Sequence, residues 1–344
     1  MMRTAVVVFN LGGPDSPDAV QPFLFNLFND PAIIRAPGPV RWALAHLISR
    51  RRAPIAREIY ATIGGRSPLL ENTQAQAQAL TSALTDLGEV KTVIAMRYWH
   101  PRAEAAVAEV AAFRPDRVVL LPLYPQFSTT TSASSLGEWT KLAAAAGITA
   151  PTSAVCCYPT EAGFIAGVAA RVRAAVAEAA AHGRPRVLFS AHGLPEKIVA
   201  GGDPYQWQVE QSAAAVVAAL ADPALDSVVC YQSRVGPLKW IGPSTDDEIQ
   251  RAGRDGVPLV VCPIAFVSEH SETLVEIEQE YRELAHEAGV PSFHRVDTVG
   301  DDPHFITGLA GLVREALQRD PGTCPQGGTR LCAKSWTGCP AVIP

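Results

Sequence analysis

Residues 186–193 read RVLFSAHG, an apolar run that stops at Ser190 and is followed at once by His192 and Gly193. Helix-length segments that are rich in alanine or amphipathic, such as 103–113 and 163–181, separate this run from others like it. The other short apolar runs are TAVVVFNL (4–11), VKTVIAMRY (90–98), RVVLLPLYP (117–125), TSAVCCYP (152–159), SVVCYQS (227–233) and PLVVCPIAF (258–266). Strands that are apolar on both faces and alternate with helices indicate an α/β fold with parallel sheets.

The predicted strands form two sets, which meet near the APTS stretch at 150–153. Both sets resemble βαβ units, so we expect two doubly wound, Rossmann-like domains at 1–150 and 151–320, followed by a cysteine-containing tail at 321–344. In such folds ligands bind beyond the carboxyl ends of the strands. The residues at those ends therefore matter most for function.

The composition favours a folded, soluble and cytoplasmic protein. The chain has 344 residues, of which 48% are hydrophobic and 18% charged, and its net charge of -5 argues against bulk binding of nucleic acid. The N-terminus has no cleavage-site pattern, and no segment reaches the about 18 consecutive apolar residues of a membrane span. Seven cysteines, an odd number, argue against a disulfide framework.

Residues 22–53 form a separate unit after the first strand, with bulky apolar side chains and a terminal run Arg50-Arg51-Arg52. One interpretation is a helical pair that packs on the core and ends in a solvated charge cluster. The other is an apolar lip over a cleft, which also makes peripheral contact with a membrane, here the inner face of the cytoplasmic membrane.

An acidic segment follows the last long strand. In VSEHSETLVEIEQEY (267–281), Glu272, Glu276 and Glu280 recur at four-residue spacing, which predicts one helical face. Glu269 and His270 come just before that face. A solvated acidic surface would explain Glu278 and Glu280, whereas Glu269, His270 and Glu272 lie at a strand end.

Taken together, the strand end at His192 and the one before Glu272 favour a metal or proton-transfer site. Imidazole and carboxylate are ordinary ligands of a divalent first-row metal such as iron(II), and imidazole takes up protons near neutral pH. His192 alone would more often be a turn histidine that bonds to the backbone. A nucleotide site is disfavoured, because NLGGP (10–14) lacks the third glycine of a dinucleotide-binding turn.

A series of motifs follows in a fixed order along the chain. They are NLGGPDS (10–16), IYATIGGRSPL (59–69), MRYWHP (96–101), LPLYPQFS (121–128), FSAHGLP (189–195), GDPY (202–205), YQSRVGPLKWIGP (231–243) and FVSEHSETL (266–274). In order and spacing they resemble the motifs of the ferrochelatases, which insert ferrous iron into protoporphyrin IX to make protohaem. The resemblance extends over nearly the whole chain and implies two Rossmann-like domains with four-stranded parallel sheets, flanked by helices, and an active-site cleft between the domains.

The resemblance also implies roles for particular residues. His192 matches the catalytic histidine and Glu272 its acidic partner, with Glu269, His270 and Glu276 on a metal or proton path. The expected porphyrin-binding residues are Leu11, Arg51, Arg52, Tyr60, Ser67, Arg97, Tyr98, Tyr124, Trp240 and Phe266. Arg51 or Arg52, with Tyr60 and Ser67, are the candidates for the propionates.

The tail PGTCPQGGTRLCAKSWTGCP (321–340) carries Cys324, Cys332 and Cys339. Clustered cysteines of this kind indicate a metal centre, although a [2Fe–2S] cluster usually takes four thiolates. Some ferrochelatases use one internal cysteine and three near the C-terminus, and CCYP offers Cys157 or Cys156; Cys157 is preferred because Tyr158 follows it. A zinc site with the same ligands stays open, whereas Cys230 and Cys262 lie inside apolar strands.

Several alternatives remain at this point. A related chelatase could act on coproporphyrin or on another metal such as cobalt, because His and Glu do not themselves distinguish these metals. A non-catalytic haem or porphyrin carrier would need no acid opposite the histidine. The oligomeric state is open, with a homodimer as one candidate.

Overall fold

The structure of the chain is a computed structural model that describes residues 2–234, 236 and 238–341. The chain divides into two compact units. The first contains Met1–Cys157, Ala310–Arg330 and Pro340–Pro344. The second contains Tyr158–Leu309 and Leu331–Cys339. Of the predicted first domain and tail, residues 1 and 342–344 lie outside the described residues.

The first unit is built on a parallel sheet. Its strands from the N-terminal part of the chain are β1 (Arg3–Asn10), β2 (Glu89–Met96), β3 (Arg117–Pro122) and β4 (Thr152–Val155). Its main helices are α1 (Val20–Phe28), α2 (Gly38–Ala61), α3 (Leu69–Ala83), α4 (Ala103–Phe113) and α5 (Ser132–Ala145).

The core of this sheet explains why its strands lack polar alternation. β1 lies between β2 and β3, and Val7 and Phe9 are buried on one face of β1. Helix α4 contributes Ala106 and Val110 to the same core, at the spacing of one helical face. The ring of Phe9 meets that of Trp139 on α5 edge-on, with 6.1 Å between centroids. Helices on a parallel sheet thus bury both faces of the strands.

The second unit has a four-stranded parallel sheet in the order β6-β5-β7-β8. The strands are β5 (Arg186–His192), β6 (Asp226–Gln232), β7 (Leu259–Pro263) and β8 (Phe293–Arg295). The helices are α6 (Ala162–Ala179), α7 (Glu196–Ala200), α8 (Tyr205–Leu220), α9 (Thr245–Asp255), a π-helix (Glu272–Glu280) and α10 (Tyr281–Glu287). Leu188, Val261, Ile277 and Tyr281 share its core.

The segment after the second sheet contributes to both units. Helix α11 (Pro303–Gln318) crosses the division between them, and β9 (Thr323–Cys324) adds a fifth strand to the first sheet, in the order β2-β1-β3-β4-β9. Four strands were expected in each sheet. For the first sheet this prediction was wrong, because the two residues of β9 are too few to show a sequence period.

The predicted α/β class with parallel sheets is confirmed. Each of the seven apolar runs contains a strand, and both sheets are parallel throughout their named pairings. Within the described part of the chain, no helix is long and apolar enough to span a membrane.

Candidate active site

The second sheet brings two predicted strand ends side by side. His192 is the last residue of β5 and pairs in register with Gln232, the last residue of β6. The chain leaves β5 through Gly193, whose N–H donates to the Gln232 carbonyl (2.9 Å). A Cβ at Gly193 would lie 3.0 Å from that carbonyl oxygen, so the tight turn after His192 favours glycine.

His192 and Glu272 are in direct contact. His192 Nδ1 lies 2.9 Å from Glu272 Oε2, and Glu272 is the first residue of the π-helix. With Nδ1–H donating to the carboxylate, Nε2 is the ring atom that can accept a proton or bind a metal. The His192 side chain is 41% exposed and that of Glu272 is 24% exposed, so ligands can reach the pair.

His192 and Glu272 shift each other's pKa, in opposite directions. Burial alone would lower the pKa of His192, but the charge of Glu272 and the hydrogen bond outweigh it and raise the pKa above its ordinary 6.5. Burial would likewise raise the pKa of Glu272, but the charge of His192 lowers it to about 2. Glu272 is therefore ionised at neutral pH, and it makes the His192 imidazole a better base.

Ser233 links the two acids of the π-helix. Its hydroxyl donates to Glu276 Oε2 (2.5 Å) and lies 3.2 Å from Glu272 Oε2, and its N–H donates to Glu276 Oε1 (2.8 Å). Ser233 has φ of 59°, in the left-handed region that residues other than glycine seldom adopt. This backbone conformation points both of its donors at the acids.

Glu276 has two further donors. Gln232 Nε2 and the Tyr281 hydroxyl both lie 3.2 Å from its oxygens. Burial raises the pKa of Glu276, and the nearby charge of Glu272 raises it further, against the effect of Ser233. Glu276 is thus the acid of the pair that takes up a proton more readily.

The acidic helix differs from the expected α-helix. The sequence spacing predicted Glu272, Glu276 and Glu280 on one α-helical face, whereas Glu272–Glu280 is a π-helix. Such turns are rare and often occur at functional sites. The wider turn still brings Glu272 and Glu276 to Ser233, while Glu280 is exposed.

His270 and Phe266 lie before the π-helix. Their rings are 4.6 Å apart between centroids, and His270 Nδ1 donates to the Ser268 carbonyl (3.1 Å), which leaves Nε2 as its acceptor atom. His270 is buried. Its charge is a smaller cause of the lowered pKa of Glu272, so these two side chains interact.

Trp240 lies beside the turn after His192. It forms a backbone bridge with Pro195, and a Cβ at Gly193 would lie 3.3 Å from the Trp240 ring. Trp240 and Phe266 are both half-buried. The structure therefore brings Trp240, one of the two predicted aromatic porphyrin residues of the second unit, next to the His192 turn.

In the first unit, three predicted porphyrin residues share one apolar cluster. Leu11, Tyr60 and Tyr98 pack with side chains of α1 and α2, including Phe23 and Leu24. A separate contact joins the NLGGP turn to Ser67, whose side chain would lie 2.5 Å from a Cβ at Gly13. The second glycine of that turn thus permits close approach to Ser67.

Arg97 is closely surrounded by its own unit. Its guanidinium lies 2.7 Å from Asp30 and 2.7 Å from Glu138, and it donates to Ser134 (2.8 Å). The Tyr98 hydroxyl donates to the same Asp30 (2.8 Å), and burial raises the pKa of Tyr98. Arg97 and Tyr98 are therefore held together around a buried carboxylate.

The remaining predicted porphyrin residues of the first unit differ in exposure. Tyr124 follows β3 and is half-buried, and burial raises its pKa. Arg51 and Arg52 are exposed on α2, with the Arg52 guanidinium 5.8 Å from the centre of the Phe28 ring. Exposed arginines of this kind are accessible to carboxylates.

The predicted cluster ligands are distributed over both units. Cys157 and Cys324 belong to the first unit, where the Cys156 N–H donates to the Cys324 carbonyl (2.9 Å). Cys332 and Cys339 belong to the second and are buried. Among the described residues, no three or more His, Cys, Asp or Glu side chains form a group suited to a metal ion.

Comparison with known proteins identifies the family. The ferrochelatase family profile matches residues 3–317. The chain is 54% identical over 341 residues to a ferrochelatase of Caulobacter vibrioides, which covers 98% of this chain and 97% of that protein. It is 51% identical over 343 residues to a ferrochelatase of Hyphomonas neptunium, with 98% and 94% covered. The chain belongs to the ferrochelatase family.

The ferrochelatase is accordingly a lyase of haem biosynthesis, whose substrates are a porphyrin and Fe²⁺. Among solved structures, SirB from Bacillus subtilis with Fe³⁺ is similar in fold, with a TM-score of 0.54 and 13% identity, covering 92% of this chain and 96% of that one. This similarity supports the chelatase-like α/β architecture.

Several side chains of the site were not predicted from the sequence. Ser233, Gln232 and Tyr281 contact the acids, yet as single polar residues they carry no chemical signature. In the sequence Ser233 is only the last residue of the apolar run 227–233. The signal that could have found it is position, since it follows the strand next to the one that ends at His192.

Proposed function

We propose that this ferrochelatase inserts Fe²⁺ into protoporphyrin IX to form protohaem, the final step of haem biosynthesis, with His192 as the proton acceptor and Glu272 as its partner. The observation that carries the proposal is the 2.9 Å contact between His192 Nδ1 and Glu272 Oε2. A porphyrin carrier has no need of a carboxylate that raises the basicity of its histidine.

The proposed reaction exchanges two pyrrole protons for one Fe²⁺. A planar porphyrin holds its nitrogen lone pairs in the ring plane, where an approaching metal meets poor geometry. Binding energy from the periphery of the ring can distort it and expose those lone pairs. His192 Nε2 then accepts the two pyrrole protons in turn, passing the first to a neighbouring carboxylate before it takes the second, and Glu272 stabilises the imidazolium each time.

The acids next to His192 provide a path for the charge that moves. Glu276 and Glu272 both contact the hydroxyl of Ser233. Because its pKa is raised, Glu276 can receive a proton that passes from the His192–Glu272 pair. In the opposite direction, carboxylates and the Nε2 of His270 are suitable ligands for Fe²⁺ as it loses water. We propose Glu276 and His270 for this path.

We propose two kinds of porphyrin contact. The apolar cluster of Leu11, Tyr60 and Tyr98 supplies flat hydrophobic surface in the first unit, as Trp240 and Phe266 do in the second. The propionates require cations or hydroxyl groups, and the candidates for them are Arg51 or Arg52, with Tyr60 and Ser67. Arg97 and Tyr124 are proposed only as further residues of the porphyrin pocket.

The direct test is an anaerobic assay of the purified protein with Fe²⁺ and protoporphyrin IX. We expect protohaem to form, and parallel reactions with coproporphyrin and with Co²⁺ measure the substrate and metal preference. If coproporphyrin reacts faster, it replaces protoporphyrin IX as the proposed substrate. If Co²⁺ is inserted faster, it replaces Fe²⁺ as the proposed metal. Binding of porphyrin without turnover would favour the carrier.

We also propose that Cys157, Cys324, Cys332 and Cys339 hold a [2Fe–2S] cluster, which when bound would supply a one-electron redox centre. Because the described residues form no group suited to a metal ion, the proposal depends on cysteine spacing and on one contact. Gln208 Nε2 donates to Cys332 Sγ (3.1 Å) in a buried setting. Hydrogen bonds to the ligating sulfurs help to orient iron–sulfur ligands and to set the potential of the cluster.

Metal and sulfide analysis of protein purified without oxygen tests this proposal. We expect iron and acid-labile sulfide together with a visible spectrum, and their loss in Cys332→Ser. Cys262→Ser, in a buried strand, is the matched control and should retain both. Zinc without sulfide would replace the cluster by a zinc site, and the absence of any metal would reject both.

Finally, we propose that the 22–53 segment contacts the inner face of the cytoplasmic membrane. On α2, Trp42 is 54% exposed and Leu47 is 48% exposed, and Arg50, Arg51 and Arg52 follow. Exposed apolar side chains next to arginines suit an anionic lipid surface. Sedimentation with anionic vesicles should fall in Trp42→Ser/Leu47→Ser and persist in the control Leu331→Ser, whose side chain is exposed in the other unit. Equal sedimentation of all three proteins would reject the contact.

A further inference from the structure

Arg295 connects several acidic side chains around the π-helix. It is the last residue of β8, and its side chain is only 10% exposed. Its Nη1 lies 3.0 Å from Glu269 Oε1, and its Nε lies 3.1 Å from Glu278 Oε2. A third contact joins Nη2 to Asp297 at 2.5 Å. One buried guanidinium is thus shared by three carboxylates.

Glu269 is also held from other directions. The Thr298 N–H donates to Glu269 Oε1 (2.8 Å), and the Thr273 hydroxyl donates to Oε2 (2.5 Å). Thr273 is the second residue of the π-helix. Burial would raise the pKa of Glu269, but Arg295 and these donors lower it, so its carboxylate stays ionised.

The positions of the two glutamates make this arrangement specific to the π-helix. Glu269 lies before Glu272 in sequence, and Glu278 lies after Glu276. Arg295 therefore contacts both flanks of the segment that presents the two acids at Ser233. π-helical turns are rare, and this one is contacted at both flanks by a side chain from outside the helix.

We propose that Arg295 is a positioning residue, which fixes the π-helix in the register that places Glu272 against His192. It touches neither His192 nor Glu272 in the contacts described above, and it acts through Glu269 and Glu278. This inference rests on the proposed catalytic role of the His192–Glu272 pair. It also assigns Glu269 to the support of the helix, since Arg295, Thr273 and Thr298 occupy both of its oxygens.

The test compares Arg295→Gln with Arg282→Gln. Arg282 is the matched control. Like Arg295 it contacts Glu278 of the π-helix (2.6 Å), and it also donates to the Phe293 carbonyl of β8 (2.9 Å), but its side chain is 47% exposed. We expect Arg295→Gln to lower kcat roughly 30-fold, as a misplaced catalytic group does, with porphyrin affinity within about twofold of the parent. Arg282→Gln should change kcat less than about twofold.

Amide hydrogen exchange supplies a readout that a general loss of stability would not produce. In folded Arg295→Gln, exchange should accelerate in 272–280 and remain unchanged in β5 and β6. Unchanged kcat, or acceleration spread over the whole second unit, would overturn the proposal. If Arg295→Gln does not fold, Glu278→Gln removes the helix-side contact of Arg295 together with the contact of Arg282, whose own loss Arg282→Gln measures. Glu278→Gln should lower kcat about fivefold, with the same local exchange; unchanged kcat there would also overturn the proposal.

The two levels of the account fail separately. Retained turnover in His192→Ala would remove the catalytic pair while leaving the exchange result valid as a statement about the helix. Turnover lost in His192→Ala but unchanged in folded Arg295→Gln would reject only the positioning role.

Discussion

The ends of the two sheets show how one architecture serves different purposes. After β2 in the first unit, Arg97 meets Asp30 and Glu138, so a buried cation is balanced by carboxylates that it contacts directly. After β5 in the second unit, His192 meets Glu272, and Glu276 brings a second carboxylate. The first group is an ion pair around a guanidinium, whereas the second contains an imidazole that can accept and release a proton.

This difference separates structural from chemical residues. The Asp30 side chain is only 2% exposed and that of Arg97 is 14% exposed, so the pair is largely closed off from solvent. The His192 side chain is 41% exposed, and the charge of Glu272 raises its pKa above the ordinary 6.5. Within the same fold, exposure and proton affinity at a strand end therefore decide whether the group supports the protein or acts on a substrate.

The largest expected effect comes from removing the base. His192→Ala should lower kcat for haem formation about 10⁴-fold, at the upper limit of general acid–base contributions. The variant lacks the Nε2 atom that accepts the pyrrole protons. Porphyrin binding, measured by fluorescence titration, should stay within about threefold. The control His294→Ala changes a histidine that contacts Glu178 and should retain activity. Substantial turnover in His192→Ala would contradict the assignment.

Glu272→Gln should lower kcat about 10³-fold and also change its pH dependence. In the parent, activity rises as pH rises through the pKa of His192, which Glu272 raises above 6.5. Without that charge, burial favours the neutral imidazole and the pKa falls. The acid limb of the profile of kcat against pH should therefore move to lower pH, and a shift to higher pH would contradict the electrostatic role.

Arg97→Met tests the sealed end of the comparison. It leaves Asp30 buried without its cation, which should lower the free energy of unfolding by about 3 kcal/mol in urea titrations. Arg102→Met is the control, since Arg102 also contacts Glu138 (3.3 Å) but is 28% exposed, and its loss should cost less than about 1 kcal/mol. Equal effects of the two changes would show that burial does not distinguish them.

The smallest effect is expected at the second acid. Glu276→Gln keeps a side chain of similar shape beside Ser233 but cannot relay a proton, and it should lower kcat about tenfold. Glu280→Gln, at the exposed end of the same helix, should leave kcat unchanged within the precision of the assay. If Glu280→Gln has the larger effect, the proposed path runs along the helix surface and not through Ser233.

Much of the fold could be read from the sequence, because seven strands are apolar runs long enough to show their character. The strands β8 and β9 could not, since three and two residues carry no period. His192 and Glu272 were found because their chemistry and motifs are distinctive. Ser233 and Arg295 were not, because their roles depend on backbone conformation and on contacts from distant strands. The same spacing that suggested an α-helix gave no sign of a π-helix.

A double-mutant cycle on His192 and Glu272 tests most directly whether the two act as one unit. Turnover is measured at saturating porphyrin and Fe²⁺ for the parent, His192→Ala, Glu272→Gln and the double variant. If Glu272 acts through His192, the double variant should be no slower than His192→Ala by more than about threefold. Independent losses that multiply in the double variant would contradict the account.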